Sequence, residues 1–155
     1  MKKKNNILIN KIIENCRKNP FKKIISDNKK SLSYSELLKY AILNSKEIRK
    51  SKSKFIPILV DRNVESVIAM FSVILANKAF CPISNDFPEQ RIFYFLKKLK
   101  SNFLINCSNK ILRLKKQHKI ILKNDEKSFK IPIFKNIDKT FYLLFTSGST
   151  GDPKG

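Results

Sequence analysis

The chain has 155 residues, of which 42% are hydrophobic, and its 33 lysines and arginines exceed its 12 acidic residues, for a formal net charge of +21. A chain of this length can form one domain that buries roughly 70% of its unfolded surface. No apolar run approaches the ~20 residues that cross a bilayer, which argues against a transmembrane helix. Asn10, Lys11 and Glu14 interrupt any secretory signal. The three cysteines are far apart, which predicts reduced thiols of a cytoplasmic protein and no metal site.

The excess of positive charge is typical of proteins that bind nucleic acid. Most of these charges are lysines spread from Lys2 to Lys139, whereas a dedicated nucleic-acid reader more often has arginine pairs or a compact basic stripe with aromatic residues. AT-rich coding also favours Lys, Asn and Ile together, and all three are abundant here. Non-specific binding that salt would abolish is therefore an alternative function. Its best candidate is segment 110–123, for which a solvated surface hairpin is the other interpretation.

Hydrophobic periodicity predicts helices and strands in alternation along the chain. The first element is a helix over Ile7–Lys18, and a short strand over 21–26 follows it. Ser33 and Glu36 have the spacing of a capping box, which predicts that a second helix begins there.

The remaining predicted elements are a strand over 55–60, a helix over 64–76, a strand over 80–83, a helix opened by Pro88, and strands over 103–106, 120–122 and 142–145. Asn77 suits the end of the third helix because asparagine tolerates the left-handed conformation. Strands that alternate with helices predict an α/β fold with a largely parallel sheet.

Two isolated features are weak candidates for a site. His118 has no acidic or nucleophilic partner nearby in the sequence, so we assign it no catalytic role. Asp61 and Arg62 follow a predicted strand at its carboxyl end, where sites occur. We prefer to interpret this pair as a helix-entry turn with a local ion pair. The sequence thus provides no catalytic residue and no metal ligand.

All three glycines lie in the last eight residues, within the sequence Thr-Ser-Gly-Ser-Thr-Gly-Asp-Pro-Lys-Gly at 146–155. Glycine lets successive backbone N–H groups turn toward a bound anion. Ser147, Ser149 and Thr150 add hydroxyl donors, and Lys154 adds a compact positive charge. This combination predicts a binding site for a polyphosphate.

The segment before this loop predicts how it is placed. Residues 141–145 form a short apolar run bounded by turn residues, which is typical of a fully buried strand of a parallel sheet. Nucleotide sites lie at the carboxyl ends of such strands. The loop is not the common P-loop, because Pro153 lies five residues after Gly148, where that pattern requires glycine.

Residues 146–155 resemble the signature of the adenylate-forming superfamily, Thr-Ser-Gly-Ser/Thr-Thr-Gly-x-Pro-Lys-Gly, at every specified position. This superfamily includes AMP-forming acyl-CoA synthetases and the adenylation domains of nonribosomal peptide synthetases. Segment 32–37 resembles the first core motif of the family, Leu-Thr-Tyr-x-Glu-Leu, and segments 73–83 and 87–92 resemble the second. The departures from the second motif are Asn77, Cys81 and Ser84.

The resemblance implies a partial N-terminal subdomain of an adenylate-forming enzyme. The implied reaction joins a carboxylate to the α-phosphate of ATP, releases pyrophosphate and gives an acyl-adenylate. The acyl group usually passes to the thiol of coenzyme A or of a carrier protein's phosphopantetheine, and Mg²⁺ accompanies ATP. The residues that the resemblance assigns to the phosphate loop are Thr146, Ser147, Gly148, Ser149, Thr150, Gly151 and Lys154.

The resemblance extends over nearly all of this chain but only over the first part of the longer family members. We therefore expect residues 1–155 to form an incomplete AMP-binding domain that is inactive alone, with a carrier protein or a separately encoded remainder as a partner. The alternatives are an inert gene remnant and a lysine-rich protein that binds nucleic acid non-specifically. The sequence does not indicate which carboxylic acid or which thiol the enzyme would use.

Overall fold

The computed structural model describes residues 7–101, 103–114, 117–122 and 140–145. The elements in these ranges are α1 Ile7–Lys18, β1 Lys23–Ser26, β2 Ser31–Ser33, α2 Tyr34–Arg49, β3 Phe55–Val60, α3 Val64–Leu75, β4 Ala79–Ser84, α4 Glu89–Lys98, β5 Leu104–Asn106 and β6 Gln117–His118. Each of the four predicted helices is confirmed.

Four of the strands form one sheet in the order β4-β3-β5-β6, and every neighbouring pair is parallel. β1 and β2 form a separate antiparallel hairpin. An isolated parallel bridge joins Tyr142 to Phe80, so segment 140–145 lies on the side of β4 that faces away from β3. The predicted α/β fold with a largely parallel sheet is confirmed.

Local side-chain hydrogen bonds determine where two of the helices begin. Ser33 caps α2 in the predicted capping box, since its Oγ accepts the Glu36 N–H while the Glu36 carboxylate accepts the Ser33 N–H at 2.7 Å. Asn63 caps α3 by accepting the Ser66 N–H at 3.0 Å. After α3, Asn77 has a φ of 61°, which is the left-handed conformation predicted for it.

Apolar side chains pack on both faces of the sheet. On one face, Ile56, Ile58 and Ile105 contact α2 and α3, and α1 packs on α2. On the opposite face, Leu59 and Ile83 pack against α4. Because helices cover both faces, the carboxyl ends of the strands are where side chains can meet a ligand. No described helix is both long and apolar enough to cross a membrane.

Two predicted strands differ from the structure. The strand over 21–26 begins later, at Lys23, and pairs with β2, which is too short to leave a hydrophobic pattern. The strand over 120–122 is wrong, because β6 forms instead. The Asn44 side chain holds the backbone of Ile121, donating to its C=O at 3.1 Å and accepting its N–H at 2.9 Å. These backbone groups are therefore not paired with a strand.

The hairpin that was the other interpretation of 110–123 is not formed by the residues of this segment that the structure describes, because β6 pairs in parallel with β5, and the segment is solvated only in part. Leu112 is buried, with 4% of its surface exposed. The Lys110 ammonium donates to the Asn85 carbonyl at 2.7 Å, and the Lys119 ammonium donates to the Ser108 carbonyl at 2.9 Å. Two of its lysines thus bind carbonyls of the domain.

Candidate functional site

The segment that precedes the predicted phosphate loop lies along β4. The Phe80 N–H donates to the Phe141 carbonyl at 3.0 Å, and the Leu143 N–H donates to the Phe80 carbonyl at 2.9 Å. Since Tyr142 pairs with Phe80 in the parallel direction, this segment runs toward the same edge as the carboxyl end of β4. Phe145, the last residue before the predicted loop, therefore lies toward the edge where ligands bind in parallel sheets.

The described residues cover this segment only in part, and Phe141 packs against the cluster that α1, α2 and α3 form. Leu143 and Phe145 pack into the cluster between the sheet and α4. Tyr142 and Leu144 point the other way and are 57% and 52% exposed. The predicted strand is present only as one parallel bridge at Tyr142. The predicted full burial is wrong, because Tyr142 and Leu144 are exposed among the described residues.

Aromatic packing on α4 fixes the position of Phe145. Its ring stacks on Phe95 with centroids 4.6 Å apart and an interplanar angle of 30°. Phe87 contacts the same Phe95 ring at 5.8 Å, and the Arg91 guanidinium lies 4.5 Å from the centroid of Phe87. The sequence predicts this aromatic cluster only weakly. Arg91 and Phe95 are four residues apart, and that spacing occurs on any helix face.

The predicted loop residues are outside the residues that the structure describes. They are Thr146, Ser147, Gly148, Ser149, Thr150, Gly151 and Lys154. The described part of the site is the strand-like segment that leads to them and its contacts with β4 and α4. The assignment of these side chains to a phosphate site therefore stays a prediction.

His118 is partly buried and packs against an aromatic side chain. Its ring stacks on Phe103 with centroids 5.9 Å apart, and its Nε2 has no hydrogen-bond partner among the described residues. Burial lowers the pKa of His118, which favours the neutral imidazole. Whether His118 has a catalytic role stays a prediction from the sequence.

The turn at Asp61 and Arg62 is held by a different contact from the one expected. The Ser66 hydroxyl accepts the Asp61 N–H and donates to the Asp61 carbonyl, both at 2.9 Å. None of the ion pairs found in the described ranges joins Asp61 to Arg62. The expected helix-entry turn is present, but the local ion pair is not.

The cysteines do not provide a reactive or metal-binding group in the described ranges. Cys81 and Cys107 are buried, and this burial raises the pKa of each thiol to about 12. They are therefore neutral at physiological pH and are poor nucleophiles. No group of three or more His, Cys, Asp or Glu side chains among the described residues is arranged to hold a metal ion.

A parallel sheet with helices on both faces, and a further strand-like segment leading to its carboxyl edge, is the arrangement of α/β proteins that bind nucleotides. A family model described as AMP-binding enzyme matches residues 12–155. The chain belongs to this family, which confirms the resemblance to adenylate-forming enzymes.

Curated relatives and solved structures agree with this assignment. The chain is 35% identical over 118 residues to a mycosubtilin synthase subunit of Bacillus subtilis, a match that covers 73% of this chain and 4% of that protein. A crystal structure of the nonribosomal peptide synthetase FmoA3, in its α-methyl-L-serine-AMP bound form, matches with a TM-score of 0.79 and 17% identity, covering 95% of this chain and 17% of that chain.

A second solved structure is the O-succinylbenzoate coenzyme A synthetase MenE of Bacillus subtilis in complex with AMP. It matches with a TM-score of 0.70 and 18% identity, covering 93% of this chain and 40% of that chain. At these identities the two structures establish the fold alone. The chain spans 4%, 17% and 40% of the lengths of these three proteins.

Proposed function

We propose that this chain provides the ATP-phosphate-binding part of an enzyme that activates a carboxylate. In the reaction, a carboxylate oxygen attacks the α-phosphorus of ATP, the bond to the bridging oxygen breaks, and pyrophosphate leaves. The observation that carries the proposal is the parallel pairing of segment 140–145 with β4, directly before the loop sequence at 146–155, in a chain of the AMP-binding family. The chain spans only 4% of its mycosubtilin synthase relative. The activity of the whole enzyme is therefore proposed here together with the role of this chain.

The proposed role of the loop is to bind the β- and γ-phosphates. Negative charge accumulates on these groups as pyrophosphate leaves, and donors that are already in place stabilise it without reorganisation. The backbone N–H groups and hydroxyls of 146–151 are the donors, and Lys154 neutralises part of the charge. Mg²⁺ is a hard cation that binds phosphate oxygens, and it enters the site with ATP.

The acceptor of the acyl group is one of two thiols in this proposal. The resemblance to adenylation domains favours the phosphopantetheine of a carrier protein, and the relatives named above include a mycosubtilin synthase and the nonribosomal peptide synthetase FmoA3. The fold is equally that of a coenzyme A synthetase. Both acceptors take the acyl group as a thioester, so the activation step is the same.

Substitution of Lys154 tests the proposed phosphate contact. We expect Lys154→Ala to weaken the binding of ATP to the 155-residue chain about tenfold, equivalent to ~1.4 kcal/mol, because the ammonium contacts the terminal phosphates. AMP lacks these phosphates, so its affinity should not change. Lys97→Ala removes the same charge from an exposed position on α4 and should change neither affinity in titration calorimetry. Equal ATP affinities for Lys154→Ala and Lys97→Ala would contradict the proposal.

Deletion of 146–155 separates this proposal from the nucleic-acid alternative. We expect the deletion to abolish ATP binding. If the chain instead binds no ATP before the deletion and retains salt-sensitive binding of DNA after it, the basic-protein alternative is the correct one.

A further inference from the structure

A cleft of about 1020 Å³ lies at the carboxyl ends of β3 and β5. From β3 the chain continues to β4 on one side and then returns to β5 on the other. The strand order therefore reverses between β3 and β5, which makes this the topological switch point of the sheet. Loops leave the two strands in opposite directions there, and ligands of open α/β sheets bind in the crevice between them.

The inner wall of the cleft is apolar. It is lined by Ile25, Val60, Val67, Met70 and Ile120, all of which are only partly buried. The cleft therefore contains apolar surface that the described residues leave accessible. Its volume is close to the range of ligand sites, roughly 300–1,000 Å³.

Most charged groups at the rim are already paired. The Asp27 carboxylate accepts the N–H groups of Lys29, Lys30 and Val64. The Lys30 ammonium pairs with Glu65, and that of Lys119 binds a carbonyl. The N-terminus of α3 is also satisfied, because Asp27 and Asn63 cap it. The helix end is therefore not a free anion site.

Two cations of the rim have no such partner. The Lys29 ammonium and the Arg62 guanidinium are exposed and make no side-chain hydrogen bond or ion pair with any described residue. The carboxylate that remains is Asp61, one oxygen of which accepts the Arg62 N–H at 2.7 Å. The unpaired groups thus carry a net positive charge, and a guanidinium binds carboxylate or phosphate through two parallel hydrogen bonds.

We propose that this cleft binds a small organic anion with an apolar body and a carboxylate or phosphate head. The apolar body lies against the inner wall, and Arg62 and Lys29 bind the head. None of the cleft-lining residues belongs to segment 140–145, which pairs with β4, whereas the cleft lies at the ends of β3 and β5. It does not depend on the function proposed for the loop.

Nuclear magnetic resonance titration of the 155-residue chain tests the proposal with three probes. Phenyl phosphate has both the apolar body and the anionic head, inorganic phosphate has only the head, and benzylammonium has the opposite charge. We expect phenyl phosphate to shift the amide signals of Val60, Ser66 and Ser108 in a saturable way, with inorganic phosphate binding at least about tenfold more weakly. Benzylammonium should leave these signals in place. Shifts confined to 146–151, or equal shifts with benzylammonium, would overturn the proposal.

Charge variants give the second test. We expect Lys29→Gln with Arg62→Gln to weaken phenyl phosphate binding at least about tenfold. Arg17→Gln with Lys22→Gln removes the same charge from exposed positions outside the cleft and should bind as the unmodified chain does. Met70→Gln places a polar group of similar length on the inner wall and should also weaken binding. Unchanged affinity in both cleft variants, each verified as folded by its spectrum, contradicts the assignment.

Discussion

The Asp27 carboxylate connects the β1–β2 turn to the start of α3. One of its oxygens accepts the N–H groups of Lys29 and Lys30 at 2.8 and 2.9 Å, and the other accepts the Val64 N–H at 2.9 Å. The hydrogen bond from Val64, together with those from Lys29 and Lys30, lowers the pKa of Asp27. The ionised carboxylate is therefore favoured by folding.

This shift predicts how stability depends on pH. Because the folded-state pKa lies below the unfolded value of about 3.9, ionised Asp27 stabilises the fold above that value, and its contribution is lost as the pH falls through the lower folded-state pKa. We expect Asp27→Asn to lower the free energy of unfolding at neutral pH. We also expect the free energy of unfolding of this variant to fall less than that of the unmodified chain as the pH is lowered into the acid range. Urea denaturation at several pH values measures both effects. Asp86→Asn, which alters a carboxylate bonded within its own turn, is the control, and identical pH profiles for the two variants would refute the prediction.

Asn44 is a second residue with a role that extends beyond its own helix. It is 0% exposed, and its amide donates to the Tyr40 carbonyl at 2.8 Å as well as binding both backbone groups of Ile121. Asn44→Leu keeps the number and branching of the side-chain heavy atoms but removes the partners of Ile121. We expect it to lower the free energy of unfolding by about 1–3 kcal/mol and to accelerate hydrogen exchange at the Ile121 amide. Asn10→Leu makes the same change at an exposed position, and it should have neither effect.

The sequence can predict contacts between near neighbours in the chain, but not contacts between distant residues. The Ser33–Glu36 capping box spans three residues and the left-handed Asn77 needs only its local helix end, so both could be predicted. The hydrogen bonds between Asn44 and Ile121 span 77 residues. No local pattern indicates that this asparagine is buried against a later segment, and the strand predicted over 120–122 was wrong for that reason.

At the scale of elements, α4 and segment 140–145 form a unit next to the predicted loop. Phe95, which is 3% exposed, contacts Phe145 on the segment and Phe87 before the helix. The backbone of the segment is held to β4 through Phe80. The predicted loop therefore follows a segment that is held at two points, by the Phe145 ring on Phe95 and by the pairing of Tyr142 with Phe80.

Phe95→Leu tests whether the stacking holds this segment. Leucine keeps the site apolar but removes the aromatic pairs, which contribute about 0.5–1.5 kcal/mol beyond their burial. We expect hydrogen exchange at the Leu143 amide, which donates to the Phe80 carbonyl, to become several-fold faster. Phe93→Leu changes a neighbouring residue of α4 that stacks on no ring in the described set, so it serves as the matched control. Equal exchange rates in the two variants would show that the stack does not fix the segment.

The length of an element decides how well the sequence predicts it. α1 to α4 repeat their apolar positions over 10 to 16 residues, which is enough for helical periodicity to emerge. β2 and β6 contain three and two residues and carry no period. The burial of 141–145 could not be predicted either, because it depends on which elements lie beside the segment.

At the scale of the whole molecule, the sequence predicted the parallel α/β architecture and the family. It did so through alternating periodicity and through a motif of specified residues in order. The cleft between β3 and β5 could not be predicted in the same way, because it depends on the order of strands in the sheet. The residues of the phosphate loop remain a prediction from the motif, supported by the placement of Phe145 before it.

The net charge of +21 predicts how the thermal stability of the whole molecule depends on salt. The four ion pairs found among the described residues are mostly exposed, and such pairs offset little of the repulsion between lysines. Because salt shortens the Debye length to about 10 Å at 0.1 M, it should screen this repulsion and stabilise the compact state. We expect the Tm to rise as NaCl increases from about 10 to 200 mM, with a smaller rise in a variant that combines Lys22→Gln, Lys46→Gln and Lys97→Gln. Sodium sulfate at equal ionic strength distinguishes screening from anion binding, since screening alone gives the same increase. A Tm that falls with NaCl would mean that attraction between charges outweighs repulsion in this fold.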